Sequence, residues 1–403
     1  MEVKREIYLA KLRATKDKNL IKVITGIRRC GKSFLLKQFR SEIISSGTPE
    51  SNTQYLNFED AENGTYDKSW QEILQGISSK LVDGMNYIFL DEIQNIPEWE
   101  KLVDSLYVKE NIDLYITGSN AYFLSSEIAT LLSGRQFEIK VFPFSYREFL
   151  EGAYNPGEAP AGLALTRYLR YGGMPQAVDF GEDYNLVTEY LTGIYNTVVM
   201  RDVMNRQGIT DPEVLNRVVT YVFDNIGNTF SSKKVADYLS SNFRSVSSQT
   251  IDKYLSAMQD SFVFYQAQRF NIRGKELLKT NRKYYAVDMG LRNVLLARGD
   301  AFDIGRAIEN TVYLELLRRG LQVFIGQTKN DREVDFVTKD KNGAITYYQV
   351  CETMRGEETR ARELAALRDI DDDYRKIVLC LDPESNNFEG IEQINLEKWL
   401  VSQ

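Results

Sequence analysis

Gly26-Ile27-Arg28-Arg29-Cys30-Gly31-Lys32-Ser33 fits the pattern G-x-x-x-x-G-K-[ST], with the apolar run Ile21–Ile24 before it and the helical pattern Phe34–Phe39 after it. Strand, glycine-bounded loop and helix in that order leave the backbone few options. The chain must leave a sheet, turn its N–H groups toward one point and begin a helix there. The partial positive charge of the helix start adds to those N–H groups, so the guest this geometry expects is a polyphosphate. Gly26 through Ser33, with Phe34 at the helix start, are candidate nucleotide-binding residues.

The residues that follow supply the rest of such a site. From Ile21 to about Phe144, short apolar strands (Ile21–Ile24, Thr53–Asn57, Tyr87–Leu90, Leu114–Thr117, Phe137–Phe142) alternate with amphipathic helical segments. This is the pattern of a parallel α/β sheet covered on both faces. The strand Tyr87-Ile88-Phe89-Leu90 ends in Asp91-Glu92, about 60 residues after the loop. Phosphoryl transfer needs Lys32 against the β- and γ-phosphates, Ser33 and Asp91 to hold magnesium, and Glu92 to orient and polarise the attacking water. One strand further on, Thr117-Gly118-Ser119-Asn120 makes Ser119 and Asn120 candidates for sensing the γ-phosphate or that water. Arg135, just before the next strand, is a candidate for positive charge in the transition state. The guanine-specifying pattern N-K-x-D is missing, which favours ATP over GTP.

Composition narrows the chemistry. The 403 residues contain no histidine, which excludes His-containing triads, His-ligated zinc and imidazole bases; carboxylates, Lys, Arg, hydroxyls and magnesium remain. Cys30, Cys351 and Cys380 are scattered without zinc spacing and suit a reducing compartment. No apolar run approaches a membrane span and the N-terminus is highly charged, so a cytoplasmic protein with no membrane partner is expected. The net charge of −7 argues against nonspecific coating of nucleic acid, but residues 1–45 carry 12 Lys and Arg against 4 Asp and Glu. A second basic stretch runs from Arg269 through Arg273, Lys275, Lys279 and Arg282 to Lys283.

Two further units are legible downstream. Ser231–Leu239 reads as a capped helix and Ser248–Met258 as a second one after a short turn. In this helix-turn-helix outline Ser247, Gln249, Thr250 and Lys253 are the residue types that touch phosphates and bases. Structural packing and protein binding are equally open to such a module. The last unit combines a helix, Ala307–Arg319, with strands Gln322–Ile325, Glu333–Val337 and Ile345–Cys351. Its acids Glu309 and Asp335 resemble those of the restriction-endonuclease-like fold, whose third motif is E/Q-x-K. Cys351 stands at that lysine position, which weakens the case for cleavage, and Lys339 of the neighbouring strand is the candidate substitute.

The blocks GIRRCGKS, YIFLDEIQ, LYITGSNA and SGRQFEIKVFPFSYREFL together resemble the prokaryotic AAA+ superfamily predicted ATPases that carry a C-terminal domain of unknown function. The resemblance implies the Walker A roles for Lys32 and Ser33, the Walker B roles for Asp91 and Glu92 and the sensor-1 position for Ser119/Asn120. Arg135 falls on the family's Gly-Arg motif, and Gly172-Gly173-Met174-Pro175 resembles its lid signature. The implied architecture is a P-loop NTPase parallel sheet over 1–158, a helical lid over 159–205, a winged helix over 206–270 and a degenerate, mixed α/β restriction-endonuclease-like domain over 271–403. ATP and magnesium are the implied cofactors; DNA, a protein partner and further copies of the chain are the partners left open. Three readings follow: an ATP-hydrolysing switch acting on nucleic acid, a nucleotide-gated interaction module with little turnover, and an ATP-gated nuclease.

Overall fold

The computed structural model describes residues 3–59, 68–119, 134–181, 183–204, 208–298 and 303–402. It divides into two units, Met1–Phe142 with Asp260–Phe262, and Pro143–Gln259 with Val263–Gln403.

In the first unit, α1 (Glu6–Thr15) precedes β1 (Ile21–Thr25), α2 (Lys32–Ser45), β2 (Thr53–Asn57), α3 (Trp70–Ser78), β3 (Asn86–Asp91), α4 (Trp99–Tyr107), β4 (Ile112–Gly118) and β5 (Gln136–Lys140). The strands lie in the order β2-β3-β4-β1-β5, every neighbouring pair parallel. β1 and β3 are buried along their whole length because helices cover both faces, which is why they read as unbroken apolar runs instead of alternating ones. Val23, Ile88, Leu90 and Ile116 meet Trp99, Leu102 and Leu106 of α4 in one core.

One charged pair interrupts that core. Lys22 of β1 and Asp113 of β4 are ion-paired with side chains almost wholly excluded from water. The second Asp113 oxygen accepts from Tyr115 Oη at 2.7 Å and from the Asp17 N–H at 2.9 Å. A buried carboxylate with its acceptors filled is tolerable; an unfilled one is not. Thr25 lies beside Gly118 and Asn57 beside Asp91, so the loop after β1 and the acids after β3 open onto the same carboxyl edge of the sheet.

The second unit begins with α5 (Tyr146–Ala153), α6 (Leu163–Tyr171), α7 (Pro175–Asp179) and α8 (Tyr184–Ile194). Next come α9 (Pro212–Asp224), β6 (Thr229–Phe230), α10 (Ser232–Asn242), α11 (Ser248–Asp260), β7 (Phe264–Asn271), β8 (Glu276–Ala286) and α12 (Met289–Leu295). The chain ends with α13 (Ile304–Arg318), β9 (Gln322–Gln327), β10 (Glu333–Lys339), β11 (Ile345–Val350), α14 (Glu357–Arg368), β12 (Arg375–Cys380), β13 (Asn386–Phe388), β14 (Ile391–Asn395) and α15 (Leu396–Val401). Its strands form one sheet in the order β13-β14-β12-β11-β10-β9-β7-β8-β6. β7 pairs antiparallel with β8 and parallel with β9, so this mixed sheet runs unbroken across residue 270.

The Gly172-Gly173-Met174-Pro175 break has a packing cause. A Cβ on Gly172 would lie 2.1 Å from Asp288 Oδ1, and one on Gly173 would lie 2.3 Å from the Phe144 carbonyl oxygen. Only glycine lets the backbone this close. The Asp288 carboxylate accepts from the Gly173 N–H at 2.7 Å and caps α12 through the Leu291 N–H at 3.0 Å, tying the break to that helix start. No helix among the described residues is long and apolar enough to cross a membrane.

Candidate functional site: the loop after β1 and the acids after β3

The loop leaves β1 at Gly26 and returns to helix at Lys32, with Gly26, Arg29 and Gly31 all at positive φ. Gly26 is obligatory for close approach as well, since a Cβ there would sit 2.1 Å from the Val141 carbonyl oxygen. Gly31 is the N-cap of α2 and no side chain caps that helix, so no capping side chain competes with an anion for its first N–H groups. Arg5, 1% exposed, donates to the carbonyls of Cys30 at 3.0 Å and Phe142 at 2.8 Å and pins the loop from below. Ile27 and Cys30 are buried packing residues, Arg28 pairs with Glu59, and Arg29 and Phe34 are exposed. Ser33, partly exposed, sits in the first turn of α2.

Lys32 is almost fully buried. Its ammonium donates to the carbonyls of Gly26 at 3.1 Å and Ile27 at 3.3 Å and lies 3.5 Å from Glu92 Oε1. Burial alone would push Lys32 down and Glu92 up, but each charge outweighs the other's desolvation: Lys32 is held above its ordinary range and Glu92 below its own. Gln94 also donates to Glu92 Oε2 at 2.5 Å and reaches Ser119 Oγ at 3.4 Å. Asp91 is fully buried, with Tyr55 Oη 2.6 Å from one oxygen and Thr117 Oγ1 2.5 Å from the other. Burial first, then the Asp91 charge, pushes the Tyr55 phenol well above its ordinary range, so it stays a donor. The donor set of Ser33 hydroxyl and Asp91 carboxylate is hard oxygen, which fits magnesium.

Sequence reasoning brought Lys32, Asp91, Glu92 and Ser119 to one edge of the sheet, and the structure places them there. It missed Tyr55, Gln94 and Thr117, each a polar residue on or beside an apolar strand; the signal was their cost of burial without a partner. Asn120 lies outside the described residues. Arg135 stands apart from these residues. Its carbonyl accepts from the Ile21 N–H at 2.7 Å, which puts it at the amino edge of the sheet, one full strand length from the loop, or roughly 16 Å for five residues. The side chain is half-exposed, 3.3 Å from Asp104 and over the Tyr107 ring, so it is not part of this site in its own chain.

The other candidates separate in the same way. Ser247 and Thr250 bond each other at the start of α11, with Gln249 and Lys253 exposed nearby. The basic stretch from Arg269 forms the β7–β8 hairpin, whose Phe270 and Ile272 belong to an apolar core, and Lys283 is buried against Glu309 and Glu333. Glu309 and Asp335 do face one cluster: Tyr285 Oη bonds Glu309 at 2.7 Å and the Val350 N–H bonds Asp335 at 2.7 Å. Burial and then the Glu309 charge push the Asp335 carboxyl well above its ordinary range. Lys283 from β8 is the cation among these acids. Lys339 instead lies over the Phe270 and Phe324 rings, and Cys351 is a core residue. Among the described residues no three acids or cysteines converge to hold a metal.

Comparison with known proteins places this geometry. Residues 18–150 match the model of an AAA domain, and residues 163–301 match a domain of unknown function. An uncharacterised protein of Haemophilus influenzae is 38% identical over 99% of this chain and 98% of its own length. One from Methanocaldococcus jannaschii is 29% identical over 94% of this chain and 85% of its own. Among solved structures, a Walker-type ATPase of Pyrococcus abyssi aligns with a TM-score of 0.50 at 14% identity, covering 73% of this chain and 96% of that one; this likeness is one of fold.

Proposed function

This chain belongs to the AAA+ family of P-loop ATPases, and from that premise we propose that it binds ATP with magnesium and hydrolyses it, using nucleotide state to switch the segments that follow the ATPase core. The observation that carries this reading is the buried Lys32–Glu92 pair beside the uncapped start of α2. Lys32 holds the β- and γ-phosphate oxygens in place of its present carbonyl partners. Ser33 and Asp91 would hold magnesium, which would supply charge neutralisation on the phosphates. Glu92, released from Lys32 once phosphate takes the ammonium, accepts a hydrogen bond from the attacking water, and Ser119 and Asn120 stand at the sensor position. Arg135 acts only from a neighbouring copy in an oligomer.

The order α9-β6-α10-α11-β7-β8, with β8 between β6 and β7, supports a winged helix that starts near residue 206, takes in the β7–β8 hairpin beyond residue 270 and meets DNA through α11. The C-terminal sheet, with Lys283 among its acids and Cys351 in its core, supports a binding role in place of cleavage. Phosphate release from ATP with magnesium, with and without mixed single- and double-stranded DNA, tests the proposal against Lys32→Ala as the blank. DNA-stimulated turnover supports it; tight ATP binding with no turnover under any condition favours a nucleotide-gated interaction module.

A further inference from the structure

Thr117 lies one residue inside the end of β4, is fully buried and touches both acids. The directions of its hydrogen bonds follow from chemistry. The backbone N–H of Glu92 can only donate, and it does so to Thr117 Oγ1 at 2.8 Å; the threonine's own proton goes to Asp91 Oδ1 at 2.5 Å. One hydroxyl therefore spends its donor on one acid and a lone pair on the backbone of the other.

That second bond matters because Glu92 is not in a strand conformation. Its backbone is left-handed, φ 53° and ψ 46°, a conformation in which Cβ crowds the following carbonyl and which a residue other than glycine holds only when its surroundings fix it. Along an extended strand, successive side chains point to opposite faces, and Asp91 and Glu92 would not share a site. The left-handed turn at Glu92 breaks the alternation and brings its carboxylate to 3.5 Å from Lys32. Tyr55 holds the remaining oxygen of Asp91, so the carboxylate has no freedom to rotate.

We infer that Thr117 is a positioning residue for ATP hydrolysis: it orients Asp91 for magnesium and holds the turned backbone that aims Glu92 at the attacking water. This rests on the assignment of those two acids made above. Thr117 is wholly buried on β4, and its hydroxyl is taken up by the two acids, so it acts through them and not on the nucleotide.

The test compares Thr117→Val, which keeps shape and loses both hydrogen bonds, with Thr117→Ser, which keeps them. In the valine protein the affinity for a fluorescent ATP analogue without magnesium should stay within about twofold. The kcat should fall about 10- to 100-fold and the magnesium concentration for half-maximal rate should rise severalfold, as for loss of other partners that orient metal ligands. Serine should restore both. A valine protein with wild-type kcat and magnesium dependence, or a serine protein as impaired as valine, overturns the inference. If valine fails to fold, Thr117→Cys, with its weak donor, is read by the same criteria. If the wild-type chain shows no turnover, the ATPase reading fails by itself, and Mn2+ affinity in the presence of ATP, followed by electron paramagnetic resonance, still decides the role of Thr117: a wild-type affinity in the valine protein overturns it.

Discussion

Replacing Asp288 by asparagine should change how stability depends on pH, with a sign opposite to that of most carboxylates. Asp288 is enclosed at the start of α12, and burial pushes its carboxyl up to about 6 from the ordinary 3.8, against the Gly173, Leu291 and Gly290 N–H groups that favour the charge. Between those two values the folded chain keeps a proton that the unfolded chain has released. Each pH unit across that window therefore costs the native state about 1.4 kcal/mol, or about 3 kcal/mol in all. The contribution is fully present below pH 4, falls between pH 4 and 6, and is constant above. The substituted amide cannot titrate and also exchanges one acceptor for a donor facing an N–H group, so the variant should be less stable throughout by about 1–3 kcal/mol but lack this slope. Urea unfolding followed by circular dichroism at pH 4, 5, 6 and 7 measures both proteins, and their difference isolates Asp288. Parallel stability curves for wild type and Asp288→Asn would refute the reasoning.

Other perturbations test separate parts of the structure. Asp113→Ala strands the buried Lys22 ammonium and should cost about 3–5 kcal/mol in chemical denaturation, whereas Lys22→Met with Asp113→Leu should recover most of that. Gly26→Ala drives a Cβ into the Val141 carbonyl, so nucleotide affinity by fluorescence titration should fall by at least about tenfold; unchanged affinity would mean the loop has another conformation. Glu92→Gln should keep ATP binding and lose turnover by about 100-fold or more in a phosphate-release assay, because an amide is a poor base. Arg135→Ala should leave nucleotide affinity unchanged, as expected for a residue at the far edge of the sheet, and mixing it with Glu92→Gln protein should restore activity if neighbouring copies share a site.

The phosphate loop, the five strands and the two acids after Leu90 were legible because their chemistry depends on spacing along the chain. A glycine-bounded loop of fixed length joins one strand to one helix, and an acid pair ends an apolar run. The helix-turn-helix segment and the strands around Glu333 and Ile345 were legible for the related reason that periodicity shows which face is buried. The role of Gly172-Gly173 was visible only as a break in a helical pattern, since the aspartate that requires it stands more than a hundred residues away.

What sequence by itself determined was the set of groups gathered at the carboxyl edge of the first sheet, because covalent spacing commits them to one strand end and one helix start. Tertiary structure alone decided which groups hold them. Parallel pairing of β2, β3 and β4 sets Tyr55 and Thr117 on either side of Asp91, and strand direction carries Arg135 to the opposite edge. In the second sheet, Lys283 reaches Glu309 and Glu333 although it comes from β8 and they come from α13 and β10. Such neighbours are chosen by register, and register is set by how whole elements bury their apolar faces together, a property of no short stretch of residues.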